Sequence, residues 1–511
     1  MLLSHLTRTT ALIGALGLLV AGCVAPKSQV TPDEEAAAPT STAAPEGGLE
    51  GFYGQDIDWE GCGEFECAVV LAPLDWDDPA AGAIELAIKR QVATGDEADR
   101  IGSLLINPGG PGSSGYDAVE RMVPNFGEEL TAAFDVVGFD PRGVGLSSAV
   151  DCGDGPTLDD VLTEDVPIEN QDDVEAARAQ IQAFGEGCLE RTGPLLGEID
   201  TVSSARDMDL LRAVLGDDKL YYAGFSYGTF LGATSAELSP ENTGRLLLDG
   251  ALDPSMSNDD LVIGQAEGFE ESLRAFVTWC LDSGSCPLRG SVDDGMKQID
   301  DMVARIEAQP IDAGEGKVLN GTMAFTGIIV TLYDDTSWRY LSMALQEVLT
   351  AGTGSIFLEL ANLYLNRTSD GQYTSNLMVA FTAINCLDYP TVERDYDEMV
   401  TFAEEVEEVA PTFGRDFAMG VGCEGWPFPA EGERGPIAAV GAPPILVVGT
   451  TGDPATPYEW SVALAEQLES GHLLTWEGEG HTAYGRANEC VIDTVDAYLV
   501  RGEVPAEGAR C

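Results

Sequence analysis

Three residues far apart in this chain are of the types that together turn an alcohol into a nucleophile. Ser226 stands in Gly224-Phe225-Ser226-Tyr227-Gly228. Small residues two places either side of a serine let a strand turn sharply into a helix and present the hydroxyl at its tip. A serine hydroxyl is a poor nucleophile at neutral pH and needs a base beside it, most often histidine. The chain has three histidines. His5 belongs to the N-terminal leader, and His472 opens an expected strand, where a structural or exposed role suits it. His481 closes Glu477-Gly478-Glu479-Gly480-His481, in the loop after the last expected strand, and is the candidate base. The base needs an acid that fixes its tautomer and stabilises its charged form. Asp453, in the Gly/Pro-rich loop 449–457, lies between serine and histidine in chain order, one helix and one strand before His481.

The intermediate of acyl transfer carries an oxyanion, which needs N–H donors held ready for it. Tyr227, directly after the serine, and Gly110, in Asn107-Pro108-Gly109-Gly110-Pro111-Gly112, are the expected donors. Paired glycines allow unusual dihedrals and a close approach to substrate. Residues 110–115 also fit a Gly-x-Gly-x-x-Gly phosphate cradle. Prolines stiffen that turn and no Gly-Lys-Ser/Thr follows, so a dinucleotide or P-loop reading is disfavoured.

The elements that must hold these residues alternate along the chain. CAVVLAPLDW, AIELAIKRQVA, IGSLLIN, FDVVGFD, KLYYAGF and GRLLLDG read as strands, each closed by a turn rich in Gly, Pro or Asp. The stretch 203–216 has helical spacing, and the residues after Ser226 read as a helix. A mostly parallel sheet covered by helices on both faces follows, with its functional groups at the C-terminal ends of strands. From 256 to 430 the pattern becomes helical without alternation, which reads as a mainly helical cap inserted into the sheet domain. The sheet resumes with APPILVV and HLLTWEGEG and ends in the helix CVIDTVDAYLV. The resulting division is a leader over 1–22, a tether over 23–50, a core over 51–255, the cap over 256–430, and a C-terminal core part over 431–511. The fold class is thus α/β, with an inserted helical cap.

With 26 Lys+Arg against 87 Asp+Glu, the formal net charge is −61. Such a surface repels phosphate backbones and anionic headgroups, so no nucleic-acid partner is expected. It suits a salty environment, or a cleft that draws in cationic groups. The leader carries an apolar run of eleven residues, ALIGALGLLVA, too short to span a bilayer and suited to a signal peptide. The run leads to Leu19-Val20-Ala21-Gly22-Cys23, which resembles a bacterial lipobox, so Cys23 is the expected lipidation site. The Pro-, Ala-, Ser- and Thr-rich residues that follow read as a flexible tether. The expected location is the cell surface, as a lipoprotein, or the secreted fraction, with membrane contact through that anchor alone.

Eleven cysteines are present, and setting Cys23 aside leaves ten, which suits disulfides in an oxidising compartment. Pairing sequence neighbours would join Cys62 with Cys67, Cys152 with Cys188, Cys280 with Cys286, Cys386 with Cys423, and Cys490 with Cys511. No Cys-x-x-Cys pair occurs and histidines are scarce, so no structural metal is expected.

NPGGPGSSG (107–115), FDPRGVGLSS (139–148), GFSYGTFLG (224–232), LDGALDP (248–254), INCLDYP (384–390), GDPATP (452–457) and GHTAYG (480–485) carry a resemblance. The chain from about Trp59 to Cys511 resembles the secreted actinobacterial tripeptidyl aminopeptidases, α/β-hydrolases akin to prolyl iminopeptidases. PGGPG at 108–112 is similar to the HGGPG loop of the latter, with proline where they have histidine. The resemblance implies a serine exopeptidase that releases short peptides from free N-termini through an acyl-enzyme, with no cofactor. It also implies carboxylates for the substrate ammonium. Candidates are Asp388, Asp253, Glu267, Glu270 and Glu271, while Arg142 reads as a structural clamp. A carboxylesterase or lipase with the same triad is one alternative. A surface lipoprotein that binds peptides without cleaving them is another.

Overall fold

Short apolar runs between turn signals become strands because both of their faces find a hydrophobic partner. The computed structural model of the chain describes residues 42–430 and 434–511. Its strands are β1 (Glu60–Cys62), β2 (Phe65–Pro73), β3 (Ala83–Gln91), β4 (Gly102–Asn107), β5 (Phe134–Phe139), β6 (Leu220–Phe225), β7 (Thr243–Asp249), β8 (Ile311–Asp312), β9 (Val318–Leu319), β10 (Ile445–Gly452) and β11 (Gly471–Glu479). Among the described residues, nine of these form one sheet in the order β1-β2-β3-β5-β4-β6-β7-β10-β11. The first three pair antiparallel and the remaining six are parallel. Every residue of β4 and β5 is buried, as the apolar runs predict for central strands. This is the α/β-hydrolase architecture.

Side chains of successive residues enter two different cores. Leu105, Leu246, Leu248, Ile445 and Val447 face the helices Thr201–Val214, Tyr227–Leu238 and Tyr458–Gln467. Leu104, Ile106, Leu247, Leu446 and Val448 face the opposite layer, with the helices Gly115–Met122 and Glu489–Arg501. That period of two fixes the register, since a one-residue slip would exchange the two sets of side chains.

Between β7 and β10 lies a mainly helical segment, from Asn258–Asp282 to Gly414–Ala418, with its own core around Phe276, Leu341 and Phe357. It also contains the β8–β9 hairpin, which has only two residues a side and therefore no readable alternation.

Two features depart from the sequence reading. Residues 42–50, assigned to the tether, belong to the folded body: Thr42 N–H donates to Ala83 O at 3.0 Å, and Thr42 O accepts from Ala83 N–H at 2.9 Å. The helix Leu49–Tyr53 then buries Phe52. The polar stretch before β6 contains a 22-residue helix, Gln171–Thr192. Its buried positions include Val174, Ala177, Phe184, Gly185 and Cys188, and small residues among them leave little hydrophobic contrast. The expected lipidation site, Cys23, and the leader lie outside the described residues.

Disulfides join Cys62–Cys67, Cys152–Cys188, Cys280–Cys286, Cys386–Cys423 and Cys490–Cys511. Arg142 is fully buried and clamps the body: it makes a bidentate pair with Asp207 at 2.7 Å and donates to the carbonyls of Pro73, Leu74 and Glu198.

Candidate active site

Ser226 follows β6 directly and caps the helix Tyr227–Leu238, with φ 55° and ψ −124°. A positive φ is costly for a residue with a side chain and persists only where neighbours enforce it. The flanking glycines supply the room. A Cβ on Gly224 would stand 2.3 Å from Gly228 O, and one on Gly228 would stand 2.8 Å from Asn107 O. The strained turn is locked by Ser226 N–H donating to Asp249 O at 2.9 Å, and by Thr229 N–H donating to Ser226 O at 2.8 Å.

Asp453 directly follows β10 and is 4% exposed. Its carboxylate accepts the N–H groups of Ala455 (3.0 Å), Thr456 (2.9 Å) and Thr482 (3.1 Å). Its two oxygens lie 2.8 and 3.0 Å from His481 Nδ1. An Nδ1–H donated there leaves Nε2 as the acceptor of a proton. His481 is also held from the cap. Its N–H donates to Tyr333 O at 2.8 Å, and the Tyr333 ring meets the imidazole edge-on at 5.4 Å.

The glycine loop after β4 lies against the serine turn. A Cβ on Gly109 would stand 2.8 Å from Ser226 Cβ and 3.3 Å from Tyr227 N, a distance only glycine permits. Gly109 has φ +97° and donates its N–H to Asn107 Oδ1 at 2.9 Å. Asp140, fully buried, anchors the far end of the loop by accepting from Ser114 Oγ (2.6 Å) and from the N–H groups of Tyr116 (3.0 Å) and Leu146 (2.8 Å). Gly110, Ser226 and His481 line one cavity of about 440 Å³. Tyr227 N–H, at the first position of its helix, belongs to the donors without an intrahelical partner.

The five carboxylates expected to meet an ammonium are elsewhere; none lines this cavity. Asp388 accepts Thr201 N–H (2.9 Å) and Oγ1–H (2.6 Å), and Thr201 Oγ1 lies 2.5 Å from Tyr227 OH. It thus braces the layer behind the serine, and burial pushes its carboxyl up to about 6. Asp253 is engaged by Ser255 and Gln467, and Glu270 by Thr412. Glu267 and Glu271 line a separate cleft with Glu459 and Glu479, bordered by Asp453. Helix geometry separates them: Gln265 and Phe269 on the same helix face the Ser226 cavity, while Glu267 and Glu271 face away from it.

Sequence reasoning missed Asp249. Its carboxylate, fully buried at the end of β7, accepts the N–H groups of Ala483 (3.0 Å) and Tyr484 (2.6 Å), directly beyond the histidine. Its backbone carbonyl already holds Ser226, so Asp249 ties the serine turn to the histidine loop. Burial, with the nearby charge of Asp453, pushes its carboxyl up to about 6. The signal was present in Leu248-Asp249-Gly250, an acid at a strand end before a glycine. Tyr333 and the aromatic residues of the cavity wall left no local signal.

No cluster of His, Cys, Asp and Glu among the described residues has the geometry to hold a metal ion. No helix among them is long and apolar enough to cross a membrane.

Residues 410–511 match the family model described as TAP-like protein. The serine protease Hip1 of Mycobacterium tuberculosis is 35% identical over 90% of this chain and 91% of its own length. Carboxylesterase B of the same species is 34% identical, with 89% of each chain covered. The tripeptidyl aminopeptidase of Streptomyces lividans is 30% identical over 89% of this chain and 86% of its own.

Proposed function

The chain belongs to the family of actinobacterial α/β-hydrolases that includes the serine protease Hip1 and the tripeptidyl aminopeptidases, and from that premise we propose that Ser226, His481 and Asp453 are its catalytic triad. It is a serine hydrolase of the peptidase kind. In our reading it releases short peptides, tripeptides foremost, from free N-termini through a serine ester. The observation that carries the triad is His481 Nδ1 held between the two oxygens of Asp453 while Ser226 lies in the same cavity as the imidazole.

Ser226 Oγ attacks the scissile carbonyl as its proton passes to His481 Nε2. The oxyanion is received by the N–H groups of Gly110 and Tyr227. His481 then protonates the leaving amine, the C–N bond breaks, and the peptide remains as an ester on Ser226. Water, deprotonated by the same imidazole, releases it. Asp453 holds the imidazole by Nδ1 and stabilises the imidazolium. The relatives named tripeptidyl aminopeptidase support a free-amine substrate. A carboxylesterase is the second reading, favoured by a cavity that no carboxylate lines. The disulfides suit an exported chain. We place its anchorage in a lipid on Cys23, with peptides as its partners and, given the charge of −61, no nucleic acid.

The test incubates the purified enzyme with a fluorogenic tripeptide amide, its N-acetylated twin and a medium-chain ester. Cleavage of the free-amine peptide alone, reduced by roughly 10⁴-fold or more in Ser226→Ala, supports the exopeptidase. Equal cleavage of the acetylated twin removes the amine requirement, and a preference for the ester makes the enzyme an esterase.

A further inference from the structure

The cavity that holds Ser226, Gly110 and His481 has a wall made mostly by the cap. Phe269 comes from the helix Asn258–Asp282, Phe325 and Ile329 from Gly321–Leu332, Met378 and Phe381 from Leu377–Asp388, and Phe417 from Gly414–Ala418. The rings support one another. Phe269 lies 5.6 Å from Tyr333 and 5.8 Å from Phe417, and Phe417 lies 5.7 Å from Phe325. Tyr333 continues this chain of rings to His481. The polar groups of the wall, among them Gln265, Thr326 and Ser113, are uncharged. Its volume, about 440 Å³, falls in the range of pockets that enclose a small ligand.

An exopeptidase must enclose the piece it releases and leave the rest of the chain outside. The side of the cavity roofed by the cap is therefore the acyl side. We propose that this cavity selects a bulky, uncharged, apolar side chain, of the leucine, methionine or phenylalanine kind, on the residue whose carbonyl Ser226 attacks. A lysine or glutamate placed there would lose its hydration and find no opposite charge in the wall, and burying an unpaired charge is costly. A glycine would leave the rings unfilled and forgo the burial that distinguishes substrates. Phe325, Ile329 and Phe417 are the specificity residues, and Thr326 is a polar position among them. This inference rests on Ser226 as the nucleophile and takes the acyl side from the exopeptidase reading; an ester series tests the pocket apart from the leaving group.

The test measures kcat/KM for fluorogenic amides of the form Ala-Ala-X, with X glycine, alanine, leucine, phenylalanine, lysine or glutamate. Reaction with a small fluorophosphonate counts active sites in every sample. Leucine and phenylalanine should exceed glycine by about 10²-fold and exceed lysine and glutamate by at least as much, since one methylene in an apolar pocket is worth roughly 10–200-fold. Phe325→Ala should cut the phenylalanine-to-glycine ratio about tenfold. Thr326→Glu places a carboxylate in the wall and should raise lysine relative to leucine. A flat ranking in the wild-type enzyme, or one led by lysine or glutamate, overturns the proposal. Where no amide is cleaved although the fluorophosphonate reacts, aryl esters of the same N-acyl amino acids provide the ranking. A retained apolar preference there supports the pocket and sinks the exopeptidase reading. A flat ester series sinks the pocket.

Discussion

At the strand ends, Asp453 accepts three backbone N–H groups and Asp249 two more, so carboxylates and main chain together fix the serine turn and the histidine loop. In the cap, Phe269, Phe325 and Phe417 are held by ring contacts at 5.7–5.8 Å and by the shape of the helices that carry them. Hydrogen bonds are directional and short, which suits atoms that must meet within tenths of an ångström. Apolar packing is non-directional and tolerates volume-conserving exchange. Chemistry is therefore built into the sheet and selection into the cap. Core substitutions should abolish turnover without re-ranking substrates, and cap substitutions should re-rank them without abolishing it.

The largest expected effect after loss of the serine is that of Asp453→Asn. The amide retains the volume but can donate toward Nδ1, which favours the tautomer with Nε2 protonated and unable to accept. We expect kcat to fall by about 10³–10⁴-fold across all side chains of the Ala-Ala-X series, in equal proportion. If the loss differed strongly between leucine and glycine substrates, the division between chemistry and selection would fail.

Gly109→Ala tests the same division from the loop side. The new Cβ would meet Phe225 O at 2.5 Å and Ser226 Cβ at 2.8 Å, on a backbone at φ +97°. The loop must retreat, carrying the expected oxyanion donor Gly110 with it. Removing one such donor costs about 10²–10³-fold in kcat, so a loss of that size with KM little changed is expected. Phe417→Leu keeps an apolar but smaller side chain, away from the reacting atoms, and should leave kcat on the best substrate within about tenfold. A Gly109→Ala enzyme with full activity would remove this loop from the oxyanion site.

The same contrast explains what the sequence disclosed. Glycines required by a 2.3 Å approach, an acid after a strand and a lone histidine in a loop are local features, and a local feature survives in one dimension. So do strands such as β4, whose residues are all buried. The cavity wall is not local. Phe269, Phe325, Phe381 and Phe417 come from four helices, and in the sequence each is only one apolar residue in an amphipathic pattern. That the carboxylates expected to meet an ammonium lie outside the Ser226 cavity has the same reason. With 87 acids to choose from, proximity to a motif says little about which side of a helix faces the serine. Asp388 sits four residues after Ile384 on the helix that lines the cavity, yet its carboxylate is spent on Thr201. The 22-residue helix Gln171–Thr192 was hidden by its small buried residues.

Asp249 offers the finest test of how tightly the core is tied. Folded, its carboxyl is raised to about 6 from an ordinary 3.8, and burial is the main cause. Between those two pH values the folded state holds a proton that the unfolded chain has released. Stability from this group is therefore full below the unfolded pKa, falls as pH rises toward the folded pKa, and is level above it. A shift of this size corresponds to about 3 kcal/mol across the window. Asp249→Asn cannot titrate, and its Oδ1 can still accept from Ala483 or Tyr484. The variant should be less stable at every pH, because its Nδ2 faces donors, yet its curve should be flatter between pH 4 and 6 than that of the wild type. Calorimetric unfolding of both proteins, with disulfides intact and ionic strength fixed, measures the difference in slope. Parallel curves would mean that Asp249 stays ionised when folded, held as an anion by the two N–H groups of the histidine loop. In that case the loop would depend on a buried charge, and screening by added salt would leave the hold on His481 unchanged.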